Sequence, residues 1–373
     1  MNHKTFPQLI VLAMALLPAT LRAEDDSSNP RSVYTMDNAS SGNSVLAFQR
    51  AANGSLIPAG SFATGGTGTG GGLGNQGAVL LTHDGRWLFA CNAGSHEISV
   101  FAVRPDGLLL TDKVGSGGRR PLSLTLHRNL LYVLNAGGAV GDADNITGFE
   151  FQAGKLFAIS GSTRALSAGS TGPAQVSFTG DGEVLVVTEK ATGIIDTFTI
   201  GEDGLAGGHK MFASPVPTPF GFAVGRGGRI FVSEANGGTA NAGAIGSFEV
   251  SDNGDLAAIS SAVATMQSAA CWVVLTRNEH FAYASNTGSG TISGYHVNAD
   301  GTLQLLDTNG ITGTTGSGST PIDLALTRDS LYLYSLNSGN GTISAFLVNA
   351  DGSLQTLSAL SGLPAGANGL AAR

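Results

Sequence analysis

The sequence predicts an all-β chain, a seven-bladed β-propeller closed by pairing of its N-terminal and C-terminal strands. Three observations predict it. A unit of about 50 residues recurs along the chain, the period of propeller blades. Glycine-containing turns fall at fixed places in each unit, and the two chain ends supply complementary fragments of one unit.

The repeat is visible by inspection. Residues 281–295 read FAYASNTGSGTISGY, 331–346 read LYLYSLNSGNGTISAF, and 88–101 read LFACNAGSHEISVF. Each runs on to a turn, NADGTL at 298–303, NADGSL at 349–354 and RPDGL at 104–108. Asp-Gly and Asn-Gly suit tight hairpins because they tolerate positive φ. One polar position anchors seven units: Asn38, Asn92, Asn135, Glu189, Glu234, Asn286 and Asn337. Each unit opens with a short apolar strand such as DLAL at 323–326. A second strand ends at the anchor, a third ends near an aromatic residue, and a fourth follows the Asp-Gly turn.

The ends complete the pattern. The first unit lacks an opening strand and starts at SVYTM (32–36), whereas GLAA at 369–372 is an opening strand without a sheet. Joining them closes the ring and removes two exposed edges. The expected organisation is a signal peptide over 1–23, a polar leader over 24–31 and the propeller over 32–373.

Composition agrees. The 373 residues include 55 glycines, 12% charged and 42% hydrophobic residues, so a large core is available and disorder is disfavoured. Net charge is −8 with no basic run, which argues against a nucleic-acid partner. At the N-terminus, Lys4, the apolar residues 9–17 and Ala23 before Glu24 have the form of an export signal, too short for a permanent membrane span. The expected location is therefore periplasmic or secreted, with no membrane anchor, and the expected state is a monomer. Cys91 and Cys271 fall on non-adjacent units and read as two buried thiols.

Propeller topology places all seven anchors on one rim, termed the top face. His83, His127 and His280 fall in turns on the opposite face, and only His96 lies in a top loop. Neither a His-Glu-x-x-His metal motif nor a Gly-x-Ser-x-Gly elbow occurs. The glycine run 65–74 reads as a flexible connector. Glu189 and Glu234 stand out among the anchors: on neighbouring blades facing one channel, they would act as base and orienter or bind a divalent cation. The competing reading is that they cap loop amides. Arg119, Arg120, Lys190 and Trp272, with the anchors Asn135 and Asn286, make up the candidate substrate-binding set. Arg119 and Arg120 suit an anionic substrate. Trp272 would give a ligand an apolar floor. Long loops at 136–146, with Asp142 and Asp144, and at 235–245 flank unit four.

These repeats, with GPAQVSFTGDG at 172–182, resemble the lactonase family of seven-bladed propellers, which includes 6-phosphogluconolactonase and carboxymuconate-cyclising enzymes. The resemblance implies hydrolysis of a small lactone or sugar-derived cyclic ester. It also implies Gly-Pro-Arg-His where this chain has Gly172-Pro173-Ala174-Gln175, with a glutamate near Glu189. Two functions stay open: a lactonase using Glu189 as base, Glu234 as orienter and Arg119 or Arg120 as oxyanion partner, or a non-catalytic propeller that binds a peptide, glycan or protein on the same rim.

Overall fold

The structure is a computed structural model and describes Met1 and residues 31–373. The expected export signal and most of the leader lie outside the described residues. Seven antiparallel sheets follow one another in chain order, and the first strand of each unit is innermost. Blade one is assembled from both chain ends. Its strands run, from outside inwards, Leu56–Ala63, Ser44–Arg50, Ser32–Met36 and Asn368–Ala372. The closing pair is antiparallel, with Val33 opposite Ala372 and Met36 opposite Asn368, and Thr35 Oγ1 donates to the Asn368 carbonyl (3.3 Å).

Second strands are buried on both faces, as in Phe281–Asn286 and Tyr332–Asn337, because each blade packs a sheet face against each neighbour. Fourth strands, outermost in each blade, are half-buried to exposed along their length.

The hairpin between third and fourth strands does two jobs. Gly54, Gly107, Gly154, Gly204, Gly254, Gly301 and Gly352 all have positive φ there, which a side chain disfavours. Their carbonyls also receive the preceding blade: Tyr132 Oη donates to Gly204, Tyr283 to Gly352 and Tyr334 to Gly54, each at 2.8 Å. A Cβ on Gly54 would lie 2.5 Å from the Tyr332 ring. The recurrent Asp-Gly of the sequence is thus a blade-to-blade contact as well as a turn.

Around the central channel, first strands are stitched by side chains. Ser123 Oγ accepts the Val176 N–H (3.1 Å). Gln175 holds Phe222 at both ends, donating to its carbonyl (3.0 Å) and accepting its N–H (2.7 Å). At the next junction the inner residue is Gly221, and the amide comes from elsewhere in the chain. Gln76 donates to the Val273 carbonyl (2.9 Å) and accepts its N–H (3.2 Å), leaving no room for a Cβ on Gly221.

That glutamine identifies a structure the sequence did not foretell. The glycine-rich link between blades one and two is not a flexible connector: its end crosses the channel. Gln76 N–H donates to the Ala174 carbonyl (3.1 Å), Asn75 Nδ2 to the Leu122 carbonyl, and Trp272 Nε1 to the Asn75 carbonyl (2.7 Å). Residues 73–76 are therefore tied to blades three, four and six, with Leu73 buried. Earlier in the link, Asn38 Nδ2 donates to the Gly71 carbonyl and its Oδ1 accepts the Thr69 N–H (3.1 Å). Glycines fit here because of close approach: a Cβ on Gly68 would sit 2.2 Å from the Asn38 backbone.

Candidate functional site

All seven anchors are fully buried, so none of them faces the channel as expected. The reason is local: each ends a second strand, behind an innermost strand and beneath the loops of the top face. Their hydrogen bonds show what they do instead. Asn92, Asn286 and Asn337 donate to Ser99, Ser293 and Ser344 on the third strand, at 2.8–2.9 Å. Those serines pass the bond to carbonyls of Thr64, Gly310 and Thr315. Asn135 bonds the Ser116 carbonyl (3.2 Å) and Asn145 (3.0 Å). Asn135 and Asn286 are thus structural bridges and not ligand contacts.

The two glutamates reverse the polarity of this network, since a carboxylate only accepts. Glu189 accepts the N–H (3.0 Å) and hydroxyl of Ser167 and the hydroxyl of Thr192. Glu234 accepts Ser214 Oγ (2.7 Å) and the Val216 N–H (3.3 Å), and its Oε2 has no partner. Burial pushes Glu234 up to about 7. Each carboxylate caps its own loop, so the proposed base–orienter pair is not assembled. At the third-strand position equivalent to Ser99, blade four carries Asp196, fully buried beside Glu189. Burial first, and Glu189 second, raise Asp196 to about 8.

The remaining candidates divide cleanly. Trp272 is 3% exposed, its ring tilted at 54° to that of Phe220 with centroids 4.7 Å apart, and it is covered by the crossing segment, so it is no ligand floor. Arg119 points outward to Asp142 of the long loop (3.5 Å). Arg120 and Lys190 reach the channel mouth.

The mouth is built by a motif the sequence reading passed over. Before each of four first strands stands a residue in the left-handed region followed by proline: Arg120, Gly172, Thr218 and Thr320, with φ from 49° to 64°. Ala269 does the same in blade six, with alanine following. Each carbonyl accepts the N–H of the residue after an anchor, pairing Arg120 with Ala136, Gly172 with Lys190, Thr218 with Ala235, Ala269 with Thr287 and Thr320 with Ser338. These pairs ring the mouth. The signal was the recurrent proline at 121, 173, 219 and 321. Two cations from adjacent blades and the hydroxyls of Thr218, Thr287, Thr320 and Ser338, all half-buried, are the result.

Lys190 Nζ donates to the carbonyls of Gly74, on the crossing segment, and Pro173 (3.1 Å), and lies 4.7 Å over the Phe220 ring. Burial, reinforced by the nearby Arg120 guanidinium, pulls it down to about 8. The carbonyls and ring act the other way and keep the ammonium in place. Arg120 Nε is buried without a partner. Beneath them, Ala174 and Cys271 pack with Phe220 and Trp272. The arginine and histidine implied by resemblance are thus replaced by a core residue and by the Gln175 clamp. Burial pushes the Cys271 thiol up to about 11, and both cysteines are free. Among the described residues no group of three or more His, Cys, Asp or Glu side chains is placed to hold a metal ion.

A closed ring of seven antiparallel sheets with a capped, cation-lined mouth defines a seven-bladed β-propeller. The chain belongs to the family described as "Lactonase, 7-bladed beta-propeller", whose model matches residues 26–160 and 229–368. Solved structures share the fold at low identity. A putative 6-phosphogluconolactonase of Bacteroides fragilis is 19% identical, with TM-score 0.66, covering 93% of this chain and 99% of its own. The periplasmic gluconolactonase of Pseudomonas aeruginosa is 17% identical, with TM-score 0.66, covering 90% and 99%. A protein from Lactobacillus plantarum superposes at TM-score 0.72 with 15% identity, covering 91% and 98%. No curated protein sequence matches the chain.

Proposed function

We propose that the chain is a lactone hydrolase acting on a small, hydroxyl-rich, sugar-derived cyclic ester at the top-face mouth. The observation that carries this reading is the pair Arg120 and Lys190, two partly desolvated cations on adjacent blades within a ring of hydroxyls. Family membership supports the same chemistry. Water adds to the ester carbonyl and gives up a proton, the ring C–O bond breaks, the departing alkoxide takes up a proton, and the hydroxy acid formed releases its acidic proton to solvent as the carboxylate product leaves. Negative charge grows on the carbonyl oxygen, and preorganised cations in a low-dielectric mouth stabilise it more than bulk water does. The hydroxyls suit the substrate's own hydroxyls. The N-terminal segment supports an exported protein meeting its substrate outside the cytoplasm.

One observation favours a second reading, a binding propeller without turnover. Glu189 and Glu234 are committed to loop capping, and Ala174-Gln175 carries neither group of the implied Arg-His pair. The test is hydrolysis of a panel of sugar lactones above the spontaneous rate, with and without chelator, for the wild type and Lys190→Met. Hydrolysis that falls at least about tenfold in Lys190→Met supports the enzyme. Unchanged rates in that variant refute the assigned role. Tight sugar-acid binding with no acceleration on any lactone establishes the binding reading.

A further inference from the structure

Arg120 sits in a backbone conformation that its own chemistry resists. A non-glycine residue rarely adopts positive φ, and a residue before proline is normally extended. Arg120 has φ of 57° and precedes Pro121. Its carbonyl accepts the Ala136 N–H (3.0 Å), as at the equivalent positions of four other blades, and here the N–H has a partner too. The Arg120 N–H donates to Nδ1 of His96 (3.1 Å). His96 comes from the top loop of blade two, itself at φ of 63°, and its carbonyl accepts the Ser116 N–H (2.9 Å). The same Nδ1 lies 3.2 Å from the Ala93 carbonyl.

One ring nitrogen thus faces a donor and an acceptor, and its protonation decides which it serves. We propose that His96 is the positioning residue for Arg120 and a proton switch on the mouth. Neutral, with the hydrogen on Nε2, it accepts the Arg120 N–H and fixes the guanidinium beside Lys190. Protonated, Nδ1 carries a hydrogen, donates to the Ala93 carbonyl and repels the Arg120 N–H. Arg120 then loses the partner of its N–H, while its carbonyl keeps the Ala136 bond, and its guanidinium is held less firmly at the mouth. An imidazole suits such a switch because the same ring nitrogen accepts when bare and donates when protonated.

The charged groups around His96 are few. Glu97 follows it in the chain and pairs with Lys113 on the adjoining fourth strand. Arg119 and Arg120 stand on the loop that His96 holds, with Arg119 turned to Asp142. The stretch 64–72 lying against Gly94 carries no ionisable residue.

This inference rests on the mouth being the ligand site, and two measurements separate its failure from the failure of that reading. The first is NMR of the mature chain, with the Arg120 amide and the His96 ring nitrogens followed from pH 8 to pH 5. The Arg120 amide moves with the same midpoint as the His96 ring, and the transition is absent in His96→Asn, whose Oδ1 accepts without titrating. An Arg120 amide that stays still while His96 titrates overturns the switch, whatever the ligand does.

The second is calorimetry with gluconate over the same range. Wild-type affinity falls about tenfold on acidification, the worth of one lost hydrogen bond, while His96→Asn holds its pH 8 affinity throughout. A histidine acting by charge alone would tighten anion binding in acid, so tighter binding also overturns the proposal. No gluconate binding at any pH, with the NMR transition intact, removes the sugar-acid reading and leaves the switch standing.

Discussion

Replacing Asp196 by asparagine isolates the cost of holding a second carboxyl group inside blade four. Asp196 is fully buried, neither oxygen has a hydrogen-bond partner, Glu189 lies beside it, and His209 Nδ1 is 3.6 Å away. Burial and Glu189 raise it from 3.8 to about 8. The native state therefore keeps a proton that the unfolded chain releases above about pH 4, and stability falls as pH rises between about 4 and 8. One whole proton is worth about 1.4 kcal/mol per pH unit. From pH 5 to pH 7 the wild type should lose about 2–3 kcal/mol through this group.

Asp196→Asn carries no titrating group and keeps the shape of the side chain. Urea unfolding of both chains at half-unit steps from pH 5 to pH 8 gives the difference directly. The variant's advantage over the wild type should grow by about 2–3 kcal/mol between pH 5 and pH 7. Comparing the two chains cancels Glu234, which is raised in the same direction, and Asp84, which hydrogen bonds hold down at about 2. Parallel curves would refute the reasoning, because they would mean that Asp196 ionises as freely in the native state as in the unfolded one.

Gln175→Ala should cost about 2–4 kcal/mol in urea unfolding, since it leaves the buried N–H and carbonyl of Phe222 without partners. A change under about 0.5 kcal/mol would show that Gln175 does not join blades four and five. Removing residues 368–373 takes away the innermost strand of blade one. The loss should exceed the roughly 5–15 kcal/mol that holds a domain together. Circular dichroism would show no cooperative melt, and a cooperative melt near the full-length temperature would refute closure by this strand.

The fold was legible because a propeller writes its architecture many times. The repeated anchor, the aromatic end of the third strand and the Asp-Gly turn each had several independent copies. The incomplete units at 32–36 and 369–372 fixed the closure. The site was less legible because it lies in departures from the repeat. Glu189 and Glu234 drew attention as departures, yet burial behind an inner strand converts them to loop caps, a fact of depth that residue type does not carry. Lys190 stands in the substrate-binding set, and its place directly after Glu189, on the opposite side of the strand end, puts it at the mouth. Gln76, Asn75 and Trp272 meet across nearly 200 residues of chain, and no local pattern announces such a contact. Gln175 was visible as a missing histidine, but its clamp on Phe222 is a relation between blades.

The crossing segment has a mechanical consequence. Contacts between neighbouring blades alone make a wheel with a rim and an empty hub, and such a ring flattens easily because each junction has only to pivot slightly. Residues 73–76, fastened to Leu122, Ala174, Val273 and Trp272, act as a spoke across that hub. They tie blades three, four and six to one another across its diameter. Lys190 is bonded to the same spoke through Gly74. The ammonium is therefore referenced to the hub itself, and its position follows the roundness of the whole wheel.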